Sequence, residues 1–166
     1  MKSKHLLFLS LASAVILMSA CKKSAPGGAG CLCNCNPDDL VASVSVYADG
    51  LNVPRGLKFG SDGSLYVAEA GIGGANSSVN SACMQVPGPV GPYSGSDTGS
   101  RISRIWKGQR ITVADKLPST IDAQGDIAGV SDVAFIGNTL YGLLAGAGCS
   151  HGVPAIPNGI VKSSSK

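Results

Sequence analysis

Charged and aromatic side chains are scarce in this chain. Of its 166 residues 14% are charged and 5% aromatic, and Glu69 is the single glutamate. Such a composition excludes coiled coils, acidic tails and long solvated helices. Lys and Arg are scattered singly, so the concentrated basic patch needed to hold a phosphate backbone is missing and no nucleic-acid partner is expected. A phosphate-cradling loop is missing too, because Gly71 to Gly74 lead into Ala75, Asn76 and Ser77 and not into a helix carrying Lys-Ser or Lys-Thr. What the chain has in excess is turn formers: 23 glycines and 9 prolines, about a fifth of all positions against ~12% in ordinary domains, which disfavours a helical bundle.

Long apolar runs are limited to one, from Leu6 to Met18, preceded by Lys2 and Lys4 and closely followed by Lys22 and Lys23. It falls short of the ~20 residues of a spanning helix and reads as an export leader over residues 1–20. Met18-Ser19-Ala20-Cys21 resembles the lipobox of bacterial lipoproteins, with Met18 standing where Leu is usual. The resemblance implies that the Cys21 thiol takes a diacylglycerol and becomes the mature N-terminus; an ordinary leader with Cys21 as a bystander is the alternative. Acyl chains contribute ~0.8 kcal/mol per buried methylene, so the expected partner is a membrane, held through the N-terminal lipid. Residues 21–36 read as a Gly/Pro/Cys-rich tether and 37–166 as the folded domain. Lys22 after Cys21, in place of Asp, favours the outer membrane or cell surface of the bacterial envelope over the inner membrane.

Beyond Val41 the apolar residues come in short runs bounded by Gly, Asp, Asn, Ser and Pro, the rhythm of strands and tight turns. The pattern predicts a strand at 41–48 (VASVSVYA), a hairpin of 56–59 and 65–70 around Asp62-Gly63, and a second hairpin of 101–106 and 109–115 around Lys107-Gly108. The unit then begins again, with strands at 130–135 and 140–145 around Gly137-Asn138 and a last one at 158–162. Leu57 matches Val133, Phe59 matches Phe135, Leu65 matches Leu140, and Tyr66 matches Tyr141; upstream, VYADGLNVP matches TVADKLPS. Repetition of a four-stranded unit implies an all-β fold, a partial β-propeller with one complete blade and part of a second. The Gly/Ser/Pro-rich stretch 71–99 is expected to be a long surface loop.

The phrases GLNVPRGLKFGSDGSLYVAEAGIGG, TGSRISRI, LPS, GVSDVAF and GLLAGAG resemble the ScyD/ScyE family of propeller proteins, named after a scytonemin-pigment gene cluster. NHL-type repeats and quinone-dependent sugar dehydrogenases share much of the first phrase. A ring takes ~4–8 blades, so a chain with fewer than two implies a truncated or frameshifted member, with assembly of several short chains into one ring as the alternative.

On a propeller map, Arg55, Glu69, Asp132 and His151 share one rim. They form a candidate ligand site, or else Arg55 and Asp132 anchor the blades through hydrogen bonds and a screened ion pair. With Cys21 acylated, Cys31, Cys33, Cys35, Cys83 and Cys149 remain; a Cys83–Cys149 bridge between neighbouring loops and unlinked thiols are both open. Cys31, Cys33 and Cys35 alternate in direction along an extended chain, which argues for oxidation in the tether over a metal site. No third orienting group accompanies Cys149 and His151, so no catalytic residue is assigned. The function implied is a non-catalytic binding or assembly module at the cell envelope for a small-molecule or protein ligand, with no cofactor and no metal. The alternative is part of an envelope enzyme of the quinone-dependent sugar dehydrogenase or calcium-dependent lactonase type.

Overall fold

The computed structural model describes residues 43–79 and 81–164. The expected leader, Cys21, the tether and Cys31, Cys33 and Cys35 lie outside the described residues. Val44–Lys166 cluster as one compact unit.

The described chain is all-β. One five-stranded antiparallel sheet contains β1 (Pro54–Phe59), β2 (Leu65–Glu69), β3 (Ser94–Trp106), β4 (Gln109–Ile121) and β5 (Ile127–Ala128), in that spatial order. A second sheet, also antiparallel, contains β6 (Val130–Ile136), β7 (Thr139–Leu144) and β8 (Gly159–Lys162). The described residues form no closed barrel or propeller. Turn chemistry explains the hairpins: Gly63 adopts φ 75°, and Lys107 and Gly108 both take positive φ, as a tight two-residue connection between right-twisted strands requires.

The two hairpins are paired in the same register. Phe59 faces Leu65 and Phe135 faces Leu140; Leu57 faces Val67 and Val133 faces Gly142; Pro54 faces Glu69 and Val130 faces Leu144. Both first strands are irregular at the same place, between Pro54 and Leu57 and between Val130 and Asp132. The third strands repeat as well, with Tyr66 opposite Arg104 in one sheet and Tyr141 opposite Lys162 in the other.

The core lies between the sheets. Ala68 and Ile102 from one face of the first sheet meet Val130, Val133, Leu140 and Leu144 of the second. Tyr66 meets Phe135 edge-on, ring centroids 4.9 Å apart at 80°. At Gly56 the backbone of β1 passes so close to Asp132 that an added Cβ would strike it, so only glycine fits.

Two sequence expectations are corrected. Residues 43–48 form no strand, since Val44 and Val46 alternate with serine as a strand should but no neighbouring strand offers them a ladder. The stretch 71–99 is not all loop: residues 94–99 belong to β3, where Ser94, Gly95 and Ser96 pair with Ile121, Thr120 and Ser119. Turn-forming composition yields there to the ladder that the lengthened β4 provides, because a paired backbone outweighs a weak local preference.

Candidate functional site

The most elaborate polar structure lies where β2 ends. Glu69 is fully buried. Its carboxylate receives Arg101 Nε at 2.9 Å and Nη2 at 2.7 Å, the Asn52 amide at 2.6 Å, and the hydroxyl of Ser103. Strand pairing arranges this, since Glu69 sits directly opposite Arg101 on β3 and Ser103 is two residues further along the same face. Burial by itself would raise the Glu69 carboxyl, but the hydrogen bonds from Arg101, Asn52 and Ser103 outweigh it and hold the group below its ordinary range. The hydrogen bonds to Glu69 and its charge, opposed by partial burial, raise Arg101.

Arg101 keeps 23% of its side chain exposed and borders a polar cleft of about 390 Å³ with Asn52, Thr98, Thr112, Asp115 and Lys116. Irregular backbone opens this cleft. Between the pairs Ser103–Thr112 and Ser100–Leu117, β3 advances three residues while β4 advances five, so the extra residues bulge outward and turn Asp115 and Lys116 toward the cleft. Lys116 is held at φ 56° and Val53, next to Asn52, at φ 50°, conformations that side chains with a Cβ rarely adopt. Such strained positions cluster at binding sites.

The polar group also breaks the repeat. The positions matching Glu69, Arg101 and Ser103 in the second sheet are Leu144, Gly159 and Val161. A feature needed by every sheet would recur; this one does not.

The four residues expected on a common rim share no hydrogen bond or ion pair with one another. Arg55 is exposed and its Nη2 donates to the Ile127 carbonyl at 2.6 Å, tying β1 to β5. Asp132 accepts the Val133 amide at 2.8 Å and borders an apolar hollow on the outer face of the second sheet. Arg55 and Asp132 form no ion pair; among the described residues the pairs are Arg101–Glu69 and Arg104–Asp62. Glu69 lies beneath the polar cleft and not on an open rim. His151 sits against the Tyr93 ring at 4.3 Å, with Ser150 Oγ at 3.0 Å from Nδ1, and burial lowers its pKa.

Cys83 and Cys149 are joined as a disulfide with their Cα atoms 5.7 Å apart. The link fastens the long loop to the short 3-10 turn Cys149–His151, where the Ser78 hydroxyl also donates to the Cys149 carbonyl. Among the described residues no three His, Cys, Asp or Glu side chains are placed to hold a metal ion, and no helix is long and apolar enough to cross a membrane.

Sequence reasoning missed Arg101, Asn52 and Lys116. An available clue was the lone Glu69 at the end of a strand, which when buried requires a cation. Arg101 was visible only as the first residue of a strand, because the register that brings it opposite Glu69 is set by tertiary pairing. No family model, curated protein or solved structure matches this chain.

Proposed function

We propose that this chain is a membrane-anchored bacterial lipoprotein, acylated at Cys21, whose two sheets are successive blades of a ScyD/ScyE-type propeller acting as a non-catalytic binding module at the cell envelope. Its ligand site is the cleft beside Arg101. The observation that carries this reading is that the cleft lies beside the Glu69–Arg101–Ser103 group, a buried polar cluster whose matching positions in the second sheet, Leu144, Gly159 and Val161, carry no polar side chain. Folds supply scaffolding, and function resides in sites grafted on them.

The chemistry of the cleft suits a small hydroxylated carboxylate. Glu69 takes up one edge of the Arg101 guanidinium and fixes its orientation, leaving Nη1 to donate to a ligand carboxylate, with Lys116 adding charge. Asn52, Thr98, Thr112 and Asp115 supply donors and acceptors for hydroxyls. Lys22 in place of Asp after Cys21 favours the outer membrane or cell surface over the inner membrane, with residues 21–36 as the tether between lipid and domain.

Two measurements test the proposal. Labelling of expressing bacteria with an alkyne fatty acid should mark the wild-type chain and not Cys21→Ser; equal labelling of the two would end the lipoprotein reading. Calorimetric titration with gluconate should give binding that Lys116→Ala weakens about tenfold, the loss of one charge-assisted hydrogen bond. No heat with gluconate would remove the carboxylate-site reading.

A further inference from the structure

The repeat also relates the open faces of the two sheets to the joint between them. Within the chain, Tyr66, Ala68 and Ile102 point from the first sheet toward Val133, Phe135 and Leu140 of the second. The positions matching Tyr66, Ala68 and Ile102 in the second sheet are Tyr141, Leu143 and Ile160. These line an apolar hollow of about 360 Å³ on its far side, where Ile160 is 73% exposed. Conversely, the positions matching Val133 and Phe135 in the first sheet are Leu57 and Phe59, which are 58% and 68% exposed. One end of the unit therefore carries the acceptor face and the other the donor face of the joint already formed between its own sheets.

Strand content points the same way. The first sheet has a fourth strand, β4, beside β3; the second stops at β8, whose outer edge pairs with no described strand. The sequence matching the middle of β4, residues 112–115, is Val46 to Asp49, which joins no ladder and leaves Val44 95% and Val46 82% exposed. The match extends to the backbone, since Lys116 and its counterpart Gly50 both take positive φ. Gly50 and Asn52 are hydrogen-bonded to Arg101 and Glu69 of their own first sheet, which holds this segment on the side away from β8. An unpaired strand sequence and an unpaired strand edge are thus displayed at opposite ends of one molecule.

We infer that a second copy of this chain docks head to tail, its Val44–Ala48 segment pairing with β8 and its Leu57 and Phe59 packing on Tyr141, Leu143 and Ile160. By the register of β3 with β4, Val46 comes opposite Val161 and Ala48 opposite Ile160, and Phe59 meets Tyr141 as Phe135 meets Tyr66. The joint is heterologous, so copies add in one direction until a ring closes. A three-strand face spans roughly 14 by 20 Å, far less than the ~800 Å² per partner of a stable pair, which makes an isolated joint weak and favours a closed ring in which every copy uses both faces. With the two described sheets in each copy, ~4–8 sheets correspond to two to four copies. This inference rests on the repeated sheets and is independent of the carboxylate cleft.

Complementation of two half-sites tests it. The full chain in mild detergent, examined by native mass spectrometry, should give one closed oligomer of two to four copies. Val46→Asp disables only the strand-donating end and Ile160→Asp only the accepting end, so each alone should be monomeric. Mixed, they can make one joint and no ring, so they should associate one to one at high concentration and form nothing larger. Circular dichroism of each variant should match wild type, both positions being exposed. As a second measurement that needs no disruption, Ser45→Cys on one chain and Lys162→Cys on another should crosslink to each other on oxidation. A wild-type chain that stays monomeric up to its solubility limit, variants that still oligomerise, or a mixture that stays monomeric without the crosslink would each overturn the inference. Gluconate binding by monomeric Val46→Asp reports on the cleft separately.

Discussion

Arg101 grips both carboxylate oxygens of Glu69 from the directly opposed position on β3, although 32 residues separate them in sequence. The pair is asymmetric: the carboxylate is sealed from solvent and the guanidinium reaches it. Glu69→Gln keeps one acceptor oxygen, places an N–H against the donors that met the other, and removes the charge that offsets Arg101. The expected loss is about 2 kcal/mol, below the usual cost of breaking a fully buried pair because Arg101 retains water. Chemical denaturation checks this. Asp62→Asn, at the more exposed Arg104–Asp62 pair, should shift the midpoint far less.

Acid should destabilise the domain in two stages. His151 has a folded pKa below its ordinary 6.5, so the unfolded chain binds its proton first; stability declines as pH falls below about that value and levels off once the folded-state imidazole is charged. Glu69 is also depressed in the fold, from 4.5. Its contribution is complete above that value and disappears as pH falls through the folded pKa. Thermal midpoints measured from pH 7 downward should therefore decline, and His151→Phe should remove the upper stage alone.

Reduction should loosen the long loop. The Cys83–Cys149 link spans a sequence separation of 66, for which the loss of loop-closure entropy in the unfolded chain corresponds to about 4 kcal/mol. Cys83→Ala with Cys149→Ala should lower the melting temperature and raise amide exchange in residues 77–86 more than in β2 or β7. Unchanged exchange there would show that the Ser78 and Gln85 hydrogen bonds alone fix the loop.

Core and surface isoleucines on the same strand pair should part company. Ile102 is 2% exposed and packs against the second sheet, so Ile102→Ala should cost about 3 kcal/mol through lost burial and a cavity. Ile111 on β4 is 53% exposed, and its replacement by alanine should stay within about 0.5 kcal/mol.

Most of the strands were legible because alternation, Asp62-Gly63 and Lys107-Gly108 are local signals, and local sterics decide them. The residues matched between the two units, Phe59 with Phe135 and Leu65 with Leu140, hold equivalent places in two hairpins paired in the same register, since a hairpin's register follows from its turn. The segment 43–48 misled for the complementary reason: its alternation is that of a strand, but a strand exists only through a partner. The rim of Arg55, Glu69, Asp132 and His151 was drawn from position along an idealised blade, and the depth of Glu69 depends on which residue faces it across the sheet.

By itself, then, the sequence determined where the chain turns, which stretches alternate, and that a sheet unit is written twice, because each of these depends on neighbours a few residues away. Only tertiary structure decided that Glu69 is buried under Arg101, that β4 bulges to open a polar cleft, and that Phe135 is covered while Phe59 is bare. These depend on groups brought together from distant segments, and the free energy of burying or pairing them is settled by what lies opposite, which local pattern does not encode.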